Sequence, residues 1–127
     1  MTKYSGDTLH CEEIPWLPLA PGVGIRLLRL DQESGAFTVM IRAEAGAVLP
    51  RHRHLEQAEI YVLKGQGVHP QTGPYGRGDY VYEHKGALHE ALTFPEETVL
   101  FMVNQGPSAF LNADDSVAFL MDIPMLQ

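Results

Sequence analysis

Two histidines one residue apart, His52 and His54, stand between Arg51 and Arg53 in the stretch GAVLPRHRHLEQAEIYVLKG, residues 46 to 65. In an extended strand, residues two apart share a face at a spacing of about 7 Å, so both imidazoles can meet one ion. Taken alone, the pair reads equally well as surface imidazoles in a basic stretch. A third histidine, His89, lies in GDYVYEHKGALHE, after a glycine-containing turn and at the start of another apolar run. Distant segments of a β-barrel converge on a ligand in this way. Three neutral imidazoles would leave a divalent ion with its full charge and several open positions. Such a centre favours a bidentate anion such as an enolate. With Fe(II) the open positions would admit dioxygen, and with Zn(II) a bound water would be acidified for hydrolysis or hydration.

The elements that must position these residues are strands. Short apolar or alternating runs recur about every ten residues: VGIRLLRL, AFTVMIRA, AEIYVLKGQGV, GDYVYE, HEALTF, TVLFMVNQG, SAFLN and SVAFLMDI. Turn signals such as DQESG, QTGPYGRGD and NADDS separate them, and helical periodicity is nearly absent. Twelve glycines and nine prolines suit turns better than helices. The pattern predicts an all-β chain, a double-sheet jelly roll or small barrel, with residues 1–127 forming one domain. EEIPWLPLAPGVG carries three of the prolines near the N-terminus. Residues 1–22 are therefore expected as an extended arm, lying along the sheet or crossing to a partner.

At 127 residues the chain can bury enough surface to fold without a disulfide or structural metal, which directs any metal towards chemistry or sensing. A net charge of -7 and scattered arginines argue against a nucleic-acid partner. The single cysteine, Cys11, has no internal partner. No apolar run is long enough to span a bilayer, and the start lacks the layout of a secretory signal, so a cytoplasmic location is expected.

The two histidine motifs resemble those of the cupins, small β-barrels whose first motif runs from a glycine through His-x-His and a glutamate to another glycine. Gly46, His52, His54 and Gly65 fit it. The second motif fits from Gly78 through Gly86 to His89, with His84 where the family usually has proline and Thr93 where it usually has asparagine. The resemblance implies a double-stranded β-helix (jelly-roll) fold and metal binding by His52, His54 and His89. Counting back from Gly65 by the family spacing, the position of the usual metal-binding glutamate is Ala58. Glu59 is one residue late, and a one-residue offset turns a side chain to the opposite face unless a bulge re-aims it. Glu56 shares the parity of the histidines but falls in an expected turn.

From Trp16 to Gly106 the chain is similar to cupin dioxygenases that cleave acetylacetone or 2,4'-dihydroxyacetophenone, a group with three histidines on non-haem iron and without that glutamate. The resemblance implies oxidative cleavage of a carbon–carbon bond beside a carbonyl in a small β-diketone or hydroxyaryl ketone, with O2 as co-substrate. It implies one divalent ion, Fe(II) in preference to Zn(II) or Ni(II). Glu83, six residues before His89, matches a glutamate that in the diketone-cleaving relatives orients a ligand or accepts a hydrogen bond from bound water; an exposed strand end is the bland alternative.

With Ala58 turned inward, strand parity selects Ile60 and Val62 as cavity-facing. His69, which could contact a substrate, is expected in an exposed turn, and Arg26, Arg42 and Arg77, which could anchor an anionic substrate, are expected on solvated faces. A zinc-binding sensor resembling the cupin module of certain anti-sigma factors is one alternative function. A metal-dependent isomerase with Glu59 or Glu83 as proton shuttle is another. Because open sheet edges need cover, a homodimer is expected.

Overall fold

Alternation of buried and exposed side chains sets the architecture. The computed structural model describes residues 6–126; the first five residues of the expected arm lie outside that range. Among the described residues, a short 3-10 turn, Cys11–Glu13, precedes fourteen strands, and every pairing is antiparallel. The larger sheet holds β1 (Leu17–Ala20), β2 (Val23–Leu30), β3 (Phe37–Ala43), β12 (Thr98–Asn104), β6 (Ala58–Lys64) and β9 (Tyr80–Glu83), in that order. The smaller holds β10 (Leu88–His89), β5 (His52–His54), β13 (Ser108–Leu111) and β14 (Val117–Met121). Two ribbons complete the set: β4 (Val48–Leu49) with β11 (Leu92–Thr93), and β7 (Gln66–His69) with β8 (Gly73–Gly76).

The core lies on the inner faces. Phe37, Val39, Ile41 and Ala43 alternate along β3, Ala58, Ile60 and Val62 along β6, and Leu100 and Met102 along β12, each buried. This period of two is the reason β-branched and aromatic runs so spaced form strands here. The expected all-β jelly roll is the observed fold.

Part of the arm is the sheet's outermost strand. Leu17–Ala20 pairs with β2 of its own chain, covering that edge. Arg26 fastens the arm instead of standing on a solvated face: it is buried, its Nε donates to the Ile14 carbonyl at 2.8 Å, and its guanidinium lies 4.1 Å from the Trp16 ring. Arg42 remains outside, paired with Glu97.

Two local expectations change. QTGPYGRGD, read as a turn, contains strand β8, with Pro74 opposite Val68. A two-stranded ribbon has open edges, so the missing proline N–H costs no ladder bond there. SVAFLMDI ends as a strand at Met121, and a one-turn helix, α1 (Ile123–Leu126), follows. Asp122 starts it, its Oδ1 accepting from the Met125 N–H at 3.0 Å.

Candidate metal centre

The histidines meet because of register. On β5, His52 and His54 are buried and Arg53 between them is exposed. His89 on β10 is the cross-strand partner of His52. The three ring centroids are 5.0–5.3 Å apart. Facing them from the other sheet is Glu83, at the end of β9. Its Oε2 touches His54 Nε2 and lies 3.0 Å from His89 Nε2. One ligand atom from each of His52, His54, Glu83 and His89 falls within 4.8 Å of all the others. Glu83 thus stands among the imidazoles themselves, nearer than a carboxylate that only orients them.

Glu83 also accounts for the gap at Ala58. These two residues are paired across β6 and β9, and both side chains are buried on the inner face. The carboxylate missing from β6 is supplied by its neighbour on the adjacent strand. Glu59 does not take part: it is exposed on the outer face and accepts a hydrogen bond of 2.6 Å from the Tyr80 hydroxyl. No bulge falls between Glu59 and the buried positions of β6, because its pairing with β9 runs regularly from Ala58 to Tyr61. Glu56 lies outside the cluster, paired with Lys85. Facing away from the histidines, Glu59 is not placed to shuttle a proton at this site.

Hydrogen bonds behind His52 and His54 prepare these two rings as ligands, whereas His89 Nδ1 is buried without a partner. His52 Nδ1 donates to the Pro50 carbonyl at 2.9 Å, leaving the lone pair on Nε2. His54 Nδ1 lies 3.2 Å from Ser108 Oγ, so its Nε2 also turns inward. Phe110 stacks on His52 at 5.0 Å and is itself stacked by Phe119. In front of the rings, His54 Nε2, Glu83 Oε2 and His89 Nε2 are buried without an aligned hydrogen-bond partner. Buried polar atoms are rarely left so, because each costs about 1–3 kcal/mol. A divalent cation between them would satisfy all three, and the nitrogen and oxygen donor set suits Fe(II), Zn(II) or Ni(II).

The electrostatics favour the metal-binding protonation states. Burial pushes His52 down from its ordinary 6.5 to about 4, keeping it neutral at physiological pH. Burial alone would raise the Glu83 carboxyl, but the His54 and His89 imidazoles hold it well below the usual carboxylate range. A pH dependence follows for the metal-free protein. Its unfolded chain protonates His52 below about pH 6.5, whereas the folded chain resists until about pH 4. Stability conferred by the neutral ring is therefore complete above that window and declines as pH falls through it. Thermal melts of the metal-free protein should show a falling Tm across this range, with a shallower slope in His52→Gln; parallel slopes would contradict the assignment. Glu83 adds its own loss only in more acid solution.

Beside the cluster lies a cavity of about 40 Å³, well below the several hundred Å³ of a typical ligand pocket. Ile60 and Val62 are in its wall, as strand parity predicts, together with Leu49, Leu92, Phe94 and Leu100. His69 is there too and is buried, contrary to the expected exposed turn. The reversal follows from β8, which folds the ribbon back beside the site. His10 and His84 are exposed.

A jelly roll enclosing three histidines and a carboxylate between its sheets has the architecture of a cupin. More narrowly, the chain belongs to the ChrR cupin-like domain family, whose model matches residues 5–109. A sequence relative is the acetylacetone-cleaving enzyme of Acinetobacter johnsonii, 28% identical over 101 residues, covering 76% of this chain and 66% of that protein. The match thus spans slightly less than two thirds of the relative's length. Among solved structures, the acetylacetone dioxygenase from Acinetobacter johnsonii superposes with a TM-score of 0.85 at 21% identity, covering 100% of this chain and 91% of that one. The anti-sigma factor ChrR in complex with SigE of Rhodobacter sphaeroides is matched with a TM-score of 0.63 at 21% identity, covering 73% and 49%. Among the described residues, no helix is long and apolar enough to cross a membrane.

Proposed function

We propose that the chain is a metal-dependent dioxygenase that cleaves a carbon–carbon bond of a small β-diketone or hydroxyaryl ketone. His52, His54, His89 and Glu83 hold one divalent ion, Fe(II) in preference to Zn(II) or Ni(II). The observation that carries this reading is the convergence of these four buried side chains on one point beside an apolar cavity. The acetylacetone-cleaving relative supports the substrate class. A bound divalent metal supplies Lewis acidity towards the ketone oxygens and, as Fe(II), redox chemistry towards dioxygen.

The chain's own residues supply the rest. The imidazoles and Glu83 fix the metal against the smaller sheet, and Ile60, Val62, Leu49 and Leu100 exclude water from the carbon skeleton. A diketone of seven non-hydrogen atoms exceeds the present cavity, so these wall side chains must part as it enters. The test is oxygen uptake. Protein loaded with Fe(II) under nitrogen should consume O2 when acetylacetone or a hydroxyaryl ketone is added in air. A fully loaded protein inert towards both would refute the activity.

A second reading has its own support, the family description itself. The same centre could hold zinc in a sensor module. Purification with stoichiometric zinc, together with tight binding of a sigma factor and no oxygen uptake, would establish that role. For the assembly we propose a homodimer, which light scattering would verify by a mass of twice 14.1 kDa.

A further inference from the structure

We propose that His69 is a substrate-positioning residue that donates a hydrogen bond from Nε2–H to an oxygen of a chelating substrate held beside His89. The inference rests on the metal-centre reading above and specifies how an oxygen chelator is oriented there. His69 ends β7 and is 8% exposed, in the wall of the cavity that His52 and Glu83 also line. Its ring stands perpendicular to His89, with centroids 4.5 Å apart. It lies outside the four-residue cluster, so its place is beside a bound ligand and not on the ion.

The turn fixes its tautomer. His69 Nδ1 accepts the backbone N–H of Gln71 at 3.1 Å and of Thr72 at 3.3 Å. A nitrogen that accepts two N–H groups carries no proton, which places the ring proton on Nε2. The turn HPQTG thus holds a neutral imidazole whose Nε2–H is not used by the turn. Elsewhere in the wall, His52 Nδ1 is bonded to Pro50, and the Tyr75 hydroxyl, buried without a hydrogen-bond partner, sits against Gly67, 2.6 Å from where a Cβ would stand. Thr72 is at the exposed mouth. The remaining wall is mainly aliphatic and aromatic, so a donor at His69 would distinguish chelating oxygens from the hydrocarbon part of a substrate.

Two substitutions separate this role from that of the turn. In His69→Asn the amide oxygen can replace the Nδ1 acceptor while the donor at Nε2 is lost. His69→Gln reaches the Nε2 position but leaves the turn N–H groups unsatisfied. Protein loaded with Zn(II) would be titrated under nitrogen with acetylacetone and, separately, with acetohydroxamate, an oxygen chelator that tests the donor whatever the reaction. Metal content and Tm would be read in parallel.

His69→Asn should bind both probes about tenfold more weakly with metal content and Tm unchanged, the loss expected for one hydrogen bond to an anionic oxygen. His69→Gln should bind within about threefold of wild type despite a lower Tm. Unaltered acetohydroxamate binding in His69→Asn would overturn the proposal, as would equal loss in both variants. Wild-type binding of acetohydroxamate without acetylacetone would count against the ketone reading alone, since the hydroxamate series still decides the role of His69. Failure of the wild type to hold metal would remove both.

Discussion

Glu83→Gln should lower the affinity of the protein for a divalent metal by about a hundredfold, although it changes neither the length nor the shape of the side chain. Removing a partner that only orients a ligand costs 10–100-fold, and Glu83 stands closer than that, its Oε2 against two imidazole nitrogens. The amide removes a negative charge from a buried site and can present N–H groups to nitrogens that need a cation. Metal titration by competition with a coloured chelator would measure the change. Because Ala58 and Glu83 are cross-strand neighbours on the inner face, Ala58→Glu with Glu83→Ala should recover part of the affinity if the backbone accommodates the larger residue. Wild-type affinity in Glu83→Gln would show that three histidines suffice and that the carboxylate is a bystander.

Gly65→Ala should destabilise the fold by about 3 kcal/mol or more, which for a domain of this size lowers Tm by about 10 °C. Gly65 sits between β6 and β7 with φ +95°, a conformation costly for any residue with a Cβ. An added Cβ would lie 2.7 Å from the Glu97 carbonyl oxygen and 2.9 Å from the Thr98 Cα, both backbone atoms. Thr98 is fully buried and begins β12, so neither segment can yield cheaply. Gly35→Ala is the control, with φ +81° but nothing within 4 Å of the new Cβ. It isolates the cost of backbone conformation. Equal melting temperatures for the two variants would show that the close approach contributes nothing.

The histidine centre was legible because its information is local. His52 and His54 share a face by strand parity, and the glycines around them mark the motif. The same parity turned Ala58 inward, Glu59 outward, and Ile60 and Val62 to the cavity. Glu83 was visible as a residue of interest, but its position depends on which residue of β9 lies opposite Ala58. Cross-strand register is a tertiary property, and nothing in the spacing of Glu83 and His89 specifies it. His69 was hidden for a related reason. Apart from Val68, its neighbours are glycine, proline and polar residues, which read as an exposed turn until GPYG pairs with QGVH and folds the ring inward. Arg26 is buried because the arm lies over it, and the sequence left open whether that arm stayed with its own sheet.

The most direct test is metal stoichiometry after anaerobic purification, measured for wild type beside His89→Ala. His89 is the ligand furthest in sequence from the His52 pair, so it tests convergence itself. The wild type should carry one divalent metal ion per chain, and His89→Ala should retain less than about a tenth of it while keeping a folded, cooperative melt. Full occupancy in His89→Ala, or a wild type that takes up no metal when supplied with Fe(II), Zn(II) or Ni(II), would contradict the account.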